Sequence, residues 1–236
     1  MNIPYEDLRM YAYSNDRLLK GAVRGVVVEF TGLNGTSMRN EDTDFGLFMA
    51  EHGIAYLFPY INPWAWMNRA AVKLTDAVIE TLYTHYSLDD SVPLVSIGGS
   101  MGGQCALVYC RYAARTPAAC AANCPVCDLP YHYTERKDLP RTLLSAFGEY
   151  DLTLEDAMRT ASPLHLADEM PDIDYFIAHC EEDRAVSKAM HSDRLVKALS
   201  GKRRVTYLPV PGRGHCDLTE EARAQYNAFI LSACGA

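Results

Sequence analysis

Ser100 stands between glycines, in Gly98-Gly99-Ser100-Met101-Gly102-Gly103. The apolar run Pro93 to Ile97 before it reads as a buried strand, and Gln104 to Cys110 after it reads as a helix. A serine at such a junction has the G-x-S-x-G pattern, in which a strained turn presents the hydroxyl at a strand tip. Side chains two positions to either side would collide in so tight a turn, so Gly98 and Gly102 stand where larger residues would not fit. The helix start beyond the serine carries unpaired N–H groups, and that of Met101 is placed to donate to an oxyanion formed at the serine. Gly-rich turns of this kind also cradle phosphates. This one lacks the Lys-Ser/Thr ending of a P-loop and the G-x-G-x-x-G spacing of a dinucleotide site.

A serine hydroxyl needs a base to take its proton and a third group to orient that base. Of the seven histidines, His215 has the setting for it. The Pro/Gly-rich stretch Pro209 to Gly214 leaves the last strand-like run just before the final helix, which puts His215 at the same sheet edge as Ser100. His179 lies inside a strand pattern and reads as a core histidine. His52, His85, His132, His165 and His191 fall on helices or in an insertion. For the orienting acid, Asp183 follows a strand and precedes a helix in Cys180-Glu181-Glu182-Asp183-Arg184-Ala185-Val186. Glu181 and Glu182 are near alternatives, and Asp128, after the preceding strand, is a rival.

The elements that must position these groups alternate along the chain. Strand-like runs occur at 25–30, 53–58, 94–97, 118–123, 174–179 and 204–208. Between them Ala71, Leu74, Val78 and Leu82 recur at helical spacing, as do Ala222, Tyr226, Phe229 and Ala233. Val186, Met190, Leu195 and Leu199 mark a helix of looser period. The pattern predicts an α/β fold, a mostly parallel sheet with helices on both faces and its ligand site outside the carboxyl ends of the strands. From 128 to 171 the strand pattern stops. A loop-rich stretch this long within one domain predicts a small helical lid insertion.

The order Ser100, Asp183, His215 resembles that of the α/β-hydrolases, over nearly the whole chain. Asp183-Arg184-Ala185-Val186 resembles the D-x-x-V segment around that family's acid. Ser162-Pro163-Leu164 and Gly212-Arg213-Gly214-His215 resemble its prolyl-oligopeptidase-like and small-esterase branches. The resemblance implies a serine hydrolase acting on small carboxylic esters through an acyl-enzyme, without a cofactor or a metal. It also implies that Leu33 N–H is a second oxyanion donor, from Thr31-Gly32-Leu33, where the family often reads His-Gly-x. A small peptidase or amidase is the same-chemistry alternative, and the 236 residues hold no propeller segment of the kind that oligopeptidases use. A noncatalytic relative that binds a ligand would show a broken set of catalytic groups. Trp64 and Trp66, on a loop leaving an early strand tip, together with Tyr131 and Tyr133 in the insertion, are candidate walls of the substrate pocket.

Composition excludes other classes. With 22 Lys and Arg against 30 Asp and Glu, the net charge is −8, unsuited to nucleic acid or to an anionic membrane. No apolar run has the length of a membrane span. The start, Met1 to Asp7, lacks the pattern of a signal peptide, so a cytoplasmic protein with a small-molecule substrate is expected. Eight scattered cysteines then read as reduced thiols. Cys124-Pro125-Val126-Cys127 is a CxxC, but no second pair completes a metal site, and a redox reading rests on those two residues alone. The acidic stretch Asn40 to Gly46 lacks the spacing of a calcium loop and reads as a solvated helix start.

Overall fold

Val26, Val27 and Val28 form the centre of a strand buried on both sides, β2 (Gly25–Phe30). β-branched runs of this kind suit a parallel sheet covered by helices. The computed structural model describes residues 1–36 and 38–236. Among them seven strands form one sheet in the order β1-β3-β2-β4-β5-β6-β7. The others are β1 (Ala12–Ser14), β3 (Ile54–Pro59), β4 (Leu94–Gly99), β5 (Ala119–Asn123), β6 (Asp174–Cys180) and β7 (Arg204–Val210). Only β1 runs antiparallel, against β3; the other described pairs are parallel. β1 is the strand that the sequence pattern did not indicate.

Helices cover both faces. The short α1 (Leu8–Tyr11) precedes β1, and α2 (Asp44–Glu51) connects β2 to β3. The longest, α3 (Arg69–His85), buries Ala71, Val78 and Leu82, and α4 (Met101–Tyr112) is buried along nearly its whole length. α8 (Ser192–Leu199) and α9 (Glu220–Ala233) flank β7 in sequence. Alternate residues of β2 divide the core. Val26, Val28 and Phe30 join the cluster built with α3, α4 and α8, while Val27 joins the one built with Met49 of α2 and Ala222 and Ile230 of α9.

The stretch predicted as an insertion folds as α5 (Leu129–Glu135), α6 (Leu139–Phe147) and α7 (Leu154–Arg159). Leu129, Leu139, Leu143, Phe147 and Ala157 belong to the same buried cluster as α3 and α4. Buried hydrogen bonds fasten it further. Gln104 Nε2 donates to Ala161 O at 2.7 Å, Trp66 Nε1 to Thr142 Oγ1 at 3.0 Å, and Leu129 N to Ser162 Oγ at 2.9 Å. The expected helix at 186–199 is shorter than its period suggested and begins only at Ser192.

From β2 the chain moves to β3 on one side, then returns to β4 on the other. The carboxyl ends of β2 and β4 therefore flank the point where strand order reverses, where open α/β sheets form their crevice. Ser100 follows β4, and the loop Thr31–Thr36 follows β2.

Candidate active site

Ser100 has φ 59° and ψ −125°, a conformation that costs a non-glycine residue roughly 1–3 kcal/mol unless its surroundings enforce it. They do. Ser100 N donates to Asn123 O at 2.9 Å, and Ser100 O accepts from Gln104 N at 3.1 Å. A Cβ on Gly98 would lie 2.3 Å from Gly102 O, as the elbow pattern requires. The constraint on Gly102 differs from the one expected. A Cβ there would lie 2.2 Å from Phe30 O, so it is β2, and not Gly98, that demands glycine.

The structure brings Ser100, His215 and Asp183 together. His215 Nε2 lies 2.8 Å from Ser100 Oγ and its Nδ1 lies 2.6 Å from Asp183 Oδ2. The carboxylate can only accept, so Nδ1 carries the proton and Nε2 offers its lone pair to the serine hydroxyl. Asp183 Oδ1 accepts from the N–H groups of Ala185 at 2.8 Å and Val186 at 2.9 Å. This turn at the end of β6 holds the Asp183 carboxylate in place. Asp128, the rival, is occupied elsewhere. It caps α5 through Tyr131 N at 3.2 Å and pairs with Arg194 at 2.8 Å.

To reach Ser100, the loop after β7 must cross the ends of β6 and β5. Asn123 and Cys124, neither of them expected at the site, support the crossing. Asn123 Nδ2 donates to Cys216 O at 3.2 Å, and Cys216 N donates to Cys124 Sγ at 3.4 Å. A third is His179. It is buried in β6 as expected, but its Nε2, which donates to Val186 O at 3.1 Å, also lies 3.4 Å from Asp183 Oδ2. Its Nδ1 meets Ser192 Oγ at 2.6 Å. The four-residue spacing of His179 and Asp183 is visible in the sequence, but strand alternation hid its meaning.

Burial alone would push the Asp183 carboxyl up, but hydrogen bonds from His179, His215 and Val186 N hold it well below the usual carboxylate range. Burial alone would lower the imidazolium of His215. The Asp183 hydrogen bond, with the Cys124 thiol beside it, outweighs that and raises the pKa to about 9. A serine hydroxyl, an imidazole lone pair and a buried carboxylate in sequence can remove the serine proton as the oxygen attacks an electrophilic carbon.

Met101 opens α4, where helical N–H groups lack intrahelical partners. Phe30 pairs with Gly98 in register, so the Leu33 loop leaves the sheet beside the elbow. A Cβ on Gly32 would lie 3.9 Å from Gly99 O. Gly35 N donates to Gly32 O at 2.9 Å, and Thr31 Oγ1 donates to Thr36 O at 3.0 Å, bracing the turn that carries Leu33.

The aromatic candidates separate. Trp64 is partly exposed, donates Nε1 to Asn34 Oδ1 and lies under the Arg141 guanidinium at 5.0 Å. It also lines a cavity of about 240 Å³ between its loop, α3 and α6. Trp66 is wholly buried and is corrected from pocket wall to anchor. Its indole N–H needs a partner in the core and finds Thr142. Tyr131 packs against His191 with ring centroids 5.6 Å apart, and Tyr133 packs on the main core cluster. Cys124 and Cys127 fall into the two different core clusters on opposite faces of the sheet, so their spacing does not make a facing dithiol. In the acidic stretch, Asp42 accepts from Tyr13 and Arg17, and Thr43 caps α2. Among the described residues no helix is long and apolar enough to cross a membrane.

No known family model and no curated protein matches the sequence. Solved structures do match. Puromycin hydrolase superposes with a TM-score of 0.72 at 21% identity, covering 89% of this chain. The chain spans only 33% of that protein's length. Pyrococcus horikoshii acylaminoacyl peptidase gives a TM-score of 0.71 at 14% identity, over 91% of this chain and 37% of its own. Esterase B from Lactobacillus rhamnosis gives 0.70 at 12% identity, over 92% of this chain and 77% of its own. The seven-stranded, mostly parallel sheet and these superpositions show that the chain has the α/β-hydrolase fold.

Proposed function

We propose that the protein is a serine hydrolase that cleaves small carboxylic esters through an acyl-enzyme. The observation that carries this reading is the hydrogen-bonded sequence Ser100 Oγ, His215, Asp183, with spacings of 2.8 and 2.6 Å, at a strained strand-to-helix turn. Ser100 Oγ attacks the acyl carbon while His215 Nε2 takes its proton. The N–H groups of Leu33 and Met101 hold the resulting oxyanion, and Asp183 stabilises the imidazolium. The imidazolium then gives its proton to the departing alkoxide. A water, deprotonated by the same nitrogen, releases the acid in the second half of the cycle.

The likeness to esterase B supports ester cleavage as the first reading. The likeness to puromycin hydrolase and to acylaminoacyl peptidase supports amide cleavage as the alternative. Trp64, the neighbouring cavity and Tyr131 and Tyr133 would set acyl preference, with the insertion as the lid over the site. A panel of short-chain and aryl esters against short peptide amides tests the reading. Esters are expected to turn over and amides not. Amides hydrolysed faster than every ester would replace this reading with the peptidase one.

A further inference from the structure

Three ligand groups that suit soft cations converge beside Ser100. Cys124 Sγ, Cys216 Sγ and a ring nitrogen of His215 all lie within 4.8 Å of one another. Cys216 Sγ is 3.8 Å from His215 Nε2. Zn²⁺ binds thiolate sulfur at about 2.3 Å and imidazole nitrogen at about 2.0–2.1 Å in tetrahedral array, which puts its ligand atoms roughly 3.5 Å apart. The three groups would have to close by only about 1 Å.

Their surroundings fit that use. Cys124 Sγ accepts the N–H groups of Cys180 at 3.3 Å and Cys216 at 3.4 Å, which fix the sulfur in place. Both cysteines are held in left-handed backbone conformations, at φ 46° and 58°. Cys124 N bonds Ala178 O at 2.8 Å and Cys216 O accepts from Asn123, so the arrangement stands before any cation arrives. Cys124 is buried at the base, while Cys216 and His215 are partly exposed and leave a way in.

The His215 tautomer is also the right one. Its Nδ1 proton goes to Asp183, so the Nε2 lone pair that meets the Ser100 hydroxyl is the one a cation would take, as in the carboxylate-supported histidines that ligate zinc. Two other clusters of metal-ligating side chains fail this test. His191 Nδ1 accepts from Cys127 N and Asp128 N, so its Nε2 bears the proton that it gives to Glu135 in the group with His132. His179 Nε2 bears the proton given to Val186 O.

We propose that Cys124, Cys216 and His215 form an inhibitory site for a thiophilic divalent cation such as Zn²⁺, whose binding takes the His215 lone pair away from Ser100. The cation displaces the two thiol protons to solvent and binds reversibly, as an external inhibitor and not as a resident cofactor. Binding stands on the geometry alone; inhibition rests on the hydrolase reading.

The test uses the full chain, reduced, in wild-type, Ser100→Ala, Cys216→Ser and Cys124→Ser forms. Equilibrium dialysis with Zn²⁺ should give one ion per chain in wild type and in Ser100→Ala. Cd²⁺ should give a thiolate-to-metal charge-transfer band in both. Each cysteine substitution should weaken Zn²⁺ binding about tenfold or more. In active wild-type protein, half-inhibition should fall at the dissociation constant measured by dialysis, and a chelator should restore the rate. Cys216→Ser, compared with its own metal-free rate, should require about tenfold more Zn²⁺. Substoichiometric binding, or an affinity indifferent to both cysteine substitutions, overturns the site. Tight binding without inhibition of an active enzyme overturns the inhibitory role. Cysteine-dependent binding to a chain that hydrolyses nothing supports the site while refuting the hydrolase reading.

Discussion

Replacing Asp183 by Asn tests how the acid works, because the surrounding donors dictate how the amide must sit. Asp183 Oδ1 accepts two backbone N–H groups, from Ala185 and Val186, so the amide oxygen must occupy that position. The amide nitrogen then takes the Oδ2 position and faces His215 Nδ1. It can only donate there, so Nδ1 becomes the acceptor and the His215 proton moves to Nε2, facing Ser100. The base is then in the tautomer that cannot take the serine proton. Recovering the working tautomer requires flipping the amide. That leaves the N–H groups of Ala185 and Val186 without an acceptor, at a cost of about 1–3 kcal/mol each. The sum of about 2–6 kcal/mol corresponds to a loss of roughly 30-fold to 10⁴-fold in turnover. The assay is kcat on a p-nitrophenyl ester, with near-ultraviolet circular dichroism to verify packing. Asp128→Asn is the companion variant. Asparagine caps helices as well as aspartate does, so it should keep turnover within about tenfold of wild type. A folded Asp183→Asn protein with wild-type turnover, or a crippled Asp128→Asn, refutes the assignment of the acid.

Three further outcomes are expected. The protonated imidazolium of His215 cannot accept a proton, and Asp183 raises its pKa to about 9 against the burial that lowers it. Activity should therefore rise with pH, with the acidic limb of kcat/KM centred above about 6.5; a limb centred lower contradicts the pairing. Gly102→Ala sets a Cβ 2.2 Å from Phe30 O and should cost roughly 1–3 kcal/mol, or about 2–12 °C in Tm, with turnover falling at least as steeply as stability; an unchanged Tm would show that β2 does not constrain the elbow. Trp64→Ala should change the ratio of aryl to short-alkyl ester efficiency by roughly tenfold, about 1.4 kcal/mol in the transition state, and an unchanged ratio removes Trp64 from the pocket.

Much of this was legible in the sequence because the signals are local. Apolar runs marked the buried strands, and the glycines around Ser100 marked the turn. The Pro/Gly-rich approach to His215 marked a loop leaving the sheet. What was hidden depends on tertiary placement. β1 has three residues, too few to show an alternation, and exists because β3 offers an open edge. Nothing local separates Trp64 from Trp66; only the fold decides which indole meets Thr142 in the core. Asn123 and Cys124 look like an ordinary strand end until the His215 loop crosses over them. His179 follows strand alternation, yet the turn at Asp183 folds the acid back onto it. Val186 and Met190 keep a helical spacing in the sequence but lie outside the helix, which begins only at Ser192.

The central claim is that Ser100 is an activated nucleophile, and covalent trapping measures it without knowledge of the natural substrate. A fluorophosphonate probe mimics the tetrahedral acyl intermediate and reacts with a serine whose proton has a base to go to. Intact-mass analysis after labelling should show one adduct per chain, and peptide mapping should place it on Ser100. Ser100→Ala should remove the adduct, and His215→Ala should slow its formation at least about a hundredfold. An adduct that persists in folded Ser100→Ala, or wild-type protein that takes up no probe, would contradict the account.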